Sequence, residues 1–113
     1  MFFVRGGTLK DRILIEKDKI PYQFIIDLGQ QQFTFKVKYN KFSDIFTLSL
    51  YKDNKLICAD EPIMYNYPLF KDVYRSGDFP IITIIPLDEA EQTDIVTWEN
   101  FNETVFLSIE NGK

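Results

Sequence analysis

The chain has 113 residues and a formal net charge of −4, from 17 acidic and 13 basic residues. This length supports one domain with a buried core and is too short for two domains. The Lys residues are scattered and form no basic cluster, so direct binding to nucleic acid is not expected. Histidine is absent and cysteine occurs once, which removes Ser-His and Cys-His nucleophile pairs and zinc sites built from Cys and His.

The composition favours strands over helices. Eleven Phe, six Tyr and one Trp are present, whereas alanine occurs only at Ala59 and Ala90. Aromatic side chains suit the surface of a sheet, and alanine is the strongest helix former. The apolar start at residues 2–4 is too short for a signal peptide or a membrane span, so we expect folding in a reducing cytoplasm and no membrane contact. Within an apolar run, Cys58 is expected to be a buried, inert thiol.

Residues 1–19 form a lead-in segment with two candidate strands. The first lies at residues 2–5, before Gly6 and Gly7. In the second, Ile13 and Ile15 alternate with Leu14 and Glu16, which favours a strand over the competing helix that would begin at residue 8.

Residues 20–39 predict an antiparallel hairpin. The apolar positions alternate with polar ones on both sides of a break at Gly29-Gln30. They are Phe24, Ile26 and Leu28 before the break, and Phe33, Phe35, Val37 and Tyr39 after it. A period of two places one face of the sheet against a core and the other against water.

The rest of the chain predicts further short strands. A strand at residues 45–51 is joined to one at 56–59 by Asp53-Asn54, residues that tolerate the positive φ of a tight turn. Residues 81–87 are apolar on both faces, as in a strand covered from both sides. Short strands are also expected at 95–98 and 104–110. About seven or eight strands and no helix predict an all-β domain spanning residues 1–113, either an antiparallel sandwich or a small barrel.

One acidic cluster could in principle bind a hard cation. Its members are Asp88, Glu89, Glu91 and Asp94. It lacks the internal glycine and the alternating ligand positions of a calcium loop, so a solvated loop is favoured. We therefore expect no catalytic residues, no metal and no cofactor.

Aromatic residues outside the strand period are the candidate contact surface. Residues 63–80 lose the alternation, and aromatics in such a connection need either a cap over the core or a partner. The predicted contact residues are Tyr65, Tyr67, Phe70, Tyr74 and Trp98, with a core position as the alternative for Trp98.

Several short motifs resemble one known family when they are read in order. They are Ile20-Pro21-Tyr22-Gln23, Leu28-Gly29-Gln30, Tyr39-Asn40 and Tyr67-Pro68-Leu69-Phe70, followed by the acidic loop at 88–94 and a final strand. This order is similar to the baseplate plug, or hub-plug, proteins of contractile phage tails. The resemblance covers about residues 20–110 and leaves the lead-in segment outside it.

The resemblance implies a structural component of a phage or prophage tail baseplate that acts through protein–protein contacts. The implied partners are other tail or baseplate proteins, such as the hub or the tube, and homo-oligomerisation is left open. The implied location is the virion or phage tail particle, after synthesis in the cytoplasm of the host bacterium. The family has no catalytic residues to transfer. The alternative is a carbohydrate- or ligand-binding β-sandwich that serves as an accessory module, and an enzyme is the least favoured class.

Overall fold

Strands make up nearly all the regular structure in the computed structural model, which describes residues 3–4, 11–71 and 82–111. Side chains are described in these ranges except at positions 3, 4, 11, 82 and 111. The strands are β1 (Phe3–Val4), β2 (Asp11–Ile13), β3 (Tyr22–Leu28), β4 (Gln31–Asn40), β5 (Ile45–Lys52), β6 (Lys55–Pro62), β7 (Ile82–Asp88) and β8 (Val105–Asn111), with a 3₁₀ helix at Lys17–Lys19.

The strands form two antiparallel sheets. Sheet I has the order β1-β2-β8-β7, in which β1 is a two-residue stub, and sheet II has the order β3-β4-β5-β6. Buried residues of both sheets belong to one hydrophobic cluster. The predicted all-β fold is therefore confirmed, and it is a sandwich because the two sheets remain separate.

Sheet II is a meander whose tight turns follow directly from the sequence. In the β3–β4 hairpin, Gly29 and Gln30 have φ values of 57° and 67°. In the β5–β6 hairpin, Asp53 and Asn54 have φ values of 53° and 64°. Two consecutive residues with positive φ match the right-handed twist of the flanking strands, so both predicted turns fix the strand register.

The outer edge of β7 in sheet I is covered by residues 63–70, here called the covering segment. The amide of Asn66 donates to the carbonyl of Pro86 at 2.8 Å, and the amide of Leu69 donates to that of Ile84 at 2.8 Å. Edge strands expose unpaired backbone groups. The covering segment satisfies two of these carbonyls, so the aperiodic connection protects the edge of the sheet.

The core lies between the two sheets. Sheet II contributes alternate residues of β4 and β5, and sheet I contributes residues of β2, β7 and β8. The fully buried members include Phe33, Phe35, Val37, Phe46, Leu48, Leu50, Ile13, Ile84 and Leu107. Ile13 and Ile15 are 0% and 1% exposed, so the predicted lead-in segment contributes to the core.

Two local expectations differ from the structure. Residues 95–98 do not form a strand; they lead into a helical turn in which the amide of Phe101 donates to the carbonyl of Thr97 at 2.9 Å. Cys58 is half-buried, and its Sγ lies 3.6 Å from Oε1 of Glu61. Its strand, β6, lies at the edge of sheet II, and the thiol packs against the core while remaining partly accessible.

We predict that Phe46→Ala lowers the free energy of unfolding by roughly 3–5 kcal/mol, because it removes a fully buried ring and leaves a cavity. Urea denaturation measures the change. The matched control is Phe42→Ala, which removes the same ring from a position that is 93% exposed and should change stability by less than about 0.5 kcal/mol. Similar losses in the two variants would contradict the assigned core.

Candidate functional site

One end of the sandwich brings together three connections. They are the loop between β4 and β5, the start of the covering segment, and the connection at residues 94–102 that precedes β8. We call this the loop end. The three connections come from distant parts of the sequence. The contacts between their side chains determine which groups at the loop end face the solvent.

The Asp44 carboxylate joins these connections. Its Oδ1 accepts hydrogen bonds from the hydroxyl of Tyr39 at 2.6 Å and from the amide of Trp98 at 3.0 Å. The hydrogen bond to Asp44 and, to a lesser degree, burial raise the pKa of Tyr39 to about 12, because both favour the neutral phenol. Asp44 therefore fixes the β4–β5 loop to the connection before β8.

Trp98 is held between apolar and cationic neighbours. Its ring stacks on Phe46 with centroids 5.8 Å apart and an interplanar angle of 7°, and it lies 4.8 Å from the ring of Tyr39. On Lys17, Nζ lies 5.3 Å from the Trp98 ring centroid and donates to the Trp98 carbonyl. Such a cation over an indole ring is favourable. Trp98 is therefore partly buried and packs against the core of the domain.

Reciprocal hydrogen bonds fix the turn after Trp98. Oδ1 of Asn100 accepts from the amide of Thr97 at 2.9 Å, and Oγ1 of Thr97 accepts from the amide of Asn100 at 3.2 Å. This arrangement matches a capping box. Two positions after Asn100, Oδ1 of Asn102 accepts a hydrogen bond from the amide of Ile15 at 3.0 Å. This bond ties the turn to sheet I.

Phe42 is the most exposed large apolar residue of the described chain, with 93% of its surface accessible. Oδ1 of Asn40 accepts from the amides of Phe42 at 2.9 Å and Ser43 at 3.3 Å, and Asp44 has a φ of 57°. These contacts define the shape of the turn. Phe42 is therefore displayed by a turn with its own hydrogen bonds rather than by a featureless loop.

A cleft of about 340 Å³ lies beside this turn. Its inner residues are Ile63 and Val96, which are buried, and Ile45, which is half-buried. Met64 and Ile95 form its rim and are 46% and 60% exposed. The loop end therefore combines a projecting aromatic ring with an apolar depression.

A second depression, an open groove of about 610 Å³, is lined in part by Phe42. Its lining includes Lys38 and Asp60, whose Nζ and Oδ1 atoms are 3.0 Å apart. The rings that line it are Phe42 and Tyr39, and the Tyr39 ring already packs against Phe46 and Trp98.

The five predicted contact residues are not equivalent in the structure. Tyr67 is 47% exposed, with Nζ of Lys71 lying 4.5 Å from its ring centroid. Tyr65 is half-buried, and its hydroxyl accepts a hydrogen bond from the amide of Asp88 at 3.1 Å. By contrast, Phe70 is 1% exposed and packs edge-on against Phe35 in the core. Trp98 is half-buried, as described above. Tyr74 lies outside the described residues.

The acidic cluster is held together by one buried carboxylate. Asp88 is 3% exposed, its Oδ1 accepts from the amide of Ala90, and its Oδ2 accepts from the amides of Gln92 and Thr93 and from the Thr93 hydroxyl. Burial alone raises the pKa of Asp88, but these hydrogen bonds outweigh it and hold the pKa below its ordinary value. Asp88 is thus buried and organises a turn, which differs at this residue from the solvated loop favoured for the cluster.

The described residues contain no group of three or more His, Cys, Asp or Glu side chains arranged to hold a metal ion. Among the same residues, no helix has the length and apolar character needed to span a bilayer.

The exposed groups Phe42, Met64 and Ile95 were not among the predicted contact residues. The sequence does carry a signal for Phe42, because it is an aromatic residue within the polar run from Asn40 to Asp44. Met64 and Ile95 carry no comparable signal, since apolar residues next to strands are usually buried.

The fold and the loop end define an all-β sandwich that exposes apolar side chains on hydrogen-bonded turns. The sequence model of a family described as the cyanophage baseplate Pam3 plug gp18 matches residues 11–112. The chain belongs to this family of phage baseplate plug proteins. A comparison with curated proteins gives no match.

This family membership confirms the resemblance found in the sequence and extends it toward the N-terminus, from residue 20 to residue 11. The added part includes β2 and its buried Ile13. Membership supports a structural role in the baseplate of a phage tail, in association with other baseplate proteins.

We predict that Tyr39 titrates late, with a pKa of about 12 against an ordinary value of 10.0. Because the folded-state pKa is raised, the contribution of this hydrogen bond to stability is complete below pH 10.0 and is lost as the pH rises through about 12. Tyrosinate absorbance measures the titration. Tyr39→Phe should remove the late step, Asp44→Asn should move it down, and the control Asp94→Asn should leave it unchanged. An unchanged titration in Asp44→Asn would contradict the assignment.

We also predict that Asp88→Asn is less stable than the wild type at neutral pH and less sensitive to acid. The folded-state pKa of Asp88 lies below 3.8, so its contribution is present above that pH and is lost as the pH falls through the folded-state value. Urea denaturation at a series of pH values measures the difference between the two proteins. Glu91→Gln removes an exposed neighbouring charge and is the control. Parallel pH profiles for wild type and Asp88→Asn would be inconsistent with this role.

Proposed function

We propose that this protein acts in the tail baseplate through protein–protein contacts, and that the loop end is its main contact surface. It is made in the cytoplasm of the host bacterium and becomes part of the virion tail particle. Its neighbours there include the hub or tube proteins, with a second copy of the chain as a further candidate, and its task is assembly rather than catalysis.

The observation that carries this proposal is the 93% exposure of Phe42. Its ring contributes little to the core, yet its turn is fixed by the side chain of Asn40. Large aromatic residues are frequent anchors of protein interfaces, because they bury a large area and lose little conformational freedom. An exposed, preorganised Phe is therefore better explained by a partner than by the stability of the domain.

The predicted contact residues extend the proposed surface beyond Phe42. Tyr67 is the most exposed of those that are described, and Tyr65, Tyr74 and Trp98 remain in the proposal. Phe70 is 1% exposed and packs against Phe35 in the core, so it would act by holding the covering segment in place. The formal charge of −4 and the absence of a basic cluster in the sequence argue for proteins, not nucleic acid, as the partners.

We predict that Phe42→Ser leaves the domain folded but strongly reduces its incorporation into tail particles. An exposed substitution should change the free energy of unfolding by less than about 0.5 kcal/mol, whereas loss of an interface anchor typically reduces binding by more than tenfold. Tail particles are purified from cells that produce the phage with the variant gene, and the protein is quantified by mass spectrometry. Leu56→Ser, at a β6 position that is 49% exposed, is the matched control.

Normal incorporation of Phe42→Ser would overturn the assignment of the loop end as the main contact surface. A glycan array with the purified protein addresses the alternative function. Specific glycan binding that is lost in Phe42→Ser, together with normal tail assembly, would favour a carbohydrate-binding module instead.

A further inference from the structure

Among the described residues, two carboxylates and no Lys or Arg line the cleft at the loop end. Asp44 uses Oδ1 for its contacts with Tyr39 and Trp98, and within the described part of the chain Oδ2 makes no hydrogen bond. Asp94 is exposed and forms no ion pair with any described residue. The cleft therefore offers an apolar interior with unpaired negative charge at its wall, which suits an apolar side chain that has a cation beside it.

Such a group is present on the same end of the molecule. Phe42 is almost fully exposed, and it follows Lys41, whose side chain is also exposed. Nζ of Lys41 lies 5.9 Å from the Phe42 ring centroid, so the cation and the ring project together. Lys41-Phe42 thus has the two chemical properties that the cleft requires of an occupant.

From this complementarity we infer that the cleft binds the Lys41-Phe42 pair of a second copy of this chain. The Phe42 ring enters between Met64 and Ile95, and the Lys41 ammonium group lies near Asp44 and Asp94. This inference rests on the proposed function, since it names the occupant of the same contact surface.

The Phe42 ring and the cleft are positioned so that two copies can form a closed, two-fold symmetric contact. Ser43 lines the cleft and directly follows Phe42, so the projecting ring and the depression are neighbours on one surface. In a two-fold arrangement, each copy donates its ring to the cleft of the other, and the same residues are used twice. The cleft volume of about 340 Å³ lies within the range of pockets that accept ligands larger than one aromatic side chain.

Chemistry also favours this arrangement over a simple face-to-face contact of two clefts. That contact would bring four carboxylates together without a cation, and like charges across an interface are unfavourable. Exchange of the Lys41-Phe42 pair instead places a positive group beside each pair of carboxylates.

The test uses the purified full-length chain and sedimentation velocity over a concentration series. Wild type should dimerise reversibly, and Phe42→Ser should be monomeric over the same range. Lys41→Glu and Asp94→Lys should each weaken dimerisation by about tenfold or more, as expected for loss of a close charge pair. The double variant Lys41→Glu/Asp94→Lys restores an opposite-charge pair and should recover most of the wild-type affinity. Leu56→Ser is the control and should dimerise like wild type.

A second measurement locates the contact directly. In a background with Cys58→Ser, protein carrying Lys41→Cys, which keeps the Phe42 ring, is mixed with protein carrying Asp94→Cys under mild oxidation. The inference expects a disulfide-linked dimer between the two variants, and none when Leu56→Cys replaces Lys41→Cys.

Wild type that stays monomeric at all concentrations would overturn this inference, and so would a dimer that is insensitive to both Phe42→Ser and Asp94→Lys. A monomeric wild type combined with poor tail incorporation of Phe42→Ser would leave the proposed function intact, because Phe42 would then contact a different baseplate protein.

Discussion

The geometry of the loop end depends on one oxygen atom, Oδ1 of Asp44. It accepts hydrogen bonds from the Tyr39 hydroxyl and from the backbone of Trp98, and so it connects the end of β4 with the segment that leads into β8. Trp98 is thereby placed on Phe46, which belongs to the core. Without this acceptor, the β4–β5 loop and the connection before β8 would lose the hydrogen bonds that join them, and the turn that displays Phe42 would lose one of its two supports.

The stability of the domain and the proposed contact surface depend on different aromatic residues that are close in the sequence. Phe46 lies in β5 and is fully buried, whereas Phe42 lies four positions earlier and is almost fully exposed. The intervening Asp44, with its positive φ, reverses the chain between them. In the proposed assembly role this separation matters, because the proposed contact group can change during evolution without loss of the core. It also explains why a small domain can expose a large apolar ring and still have a well-packed interior.

The strands could be predicted from the sequence wherever one face of the strand was buried and the other was exposed to solvent. The β3–β4 hairpin, the turn at Asp53-Asn54 and the last strand all follow from a period of two with turn residues between. The aperiodic segments were not readable in this way, because their burial depends on residues far along the chain. Phe70 is buried by Phe35, and residues 95–98 form no strand because the contacts of Trp98 with Asp44 and Lys17 hold them in a loop. Phe42 is different, because its place in the polar run from Asn40 to Asp44 indicates exposure, although no local pattern shows what would contact it.

The covering segment along the edge of β7 affects how this protein can add further copies or partners in a baseplate. Asn66 and Leu69 occupy carbonyls that another strand would need, so this edge of sheet I does not invite strand addition. Backbone pairing is nearly independent of sequence and repeats without a natural end, which is hazardous for a particle that must stop at a defined copy number. Contacts made by side chains at discrete positions end when those positions are filled. The covering segment therefore removes one edge at which strands could be added without limit.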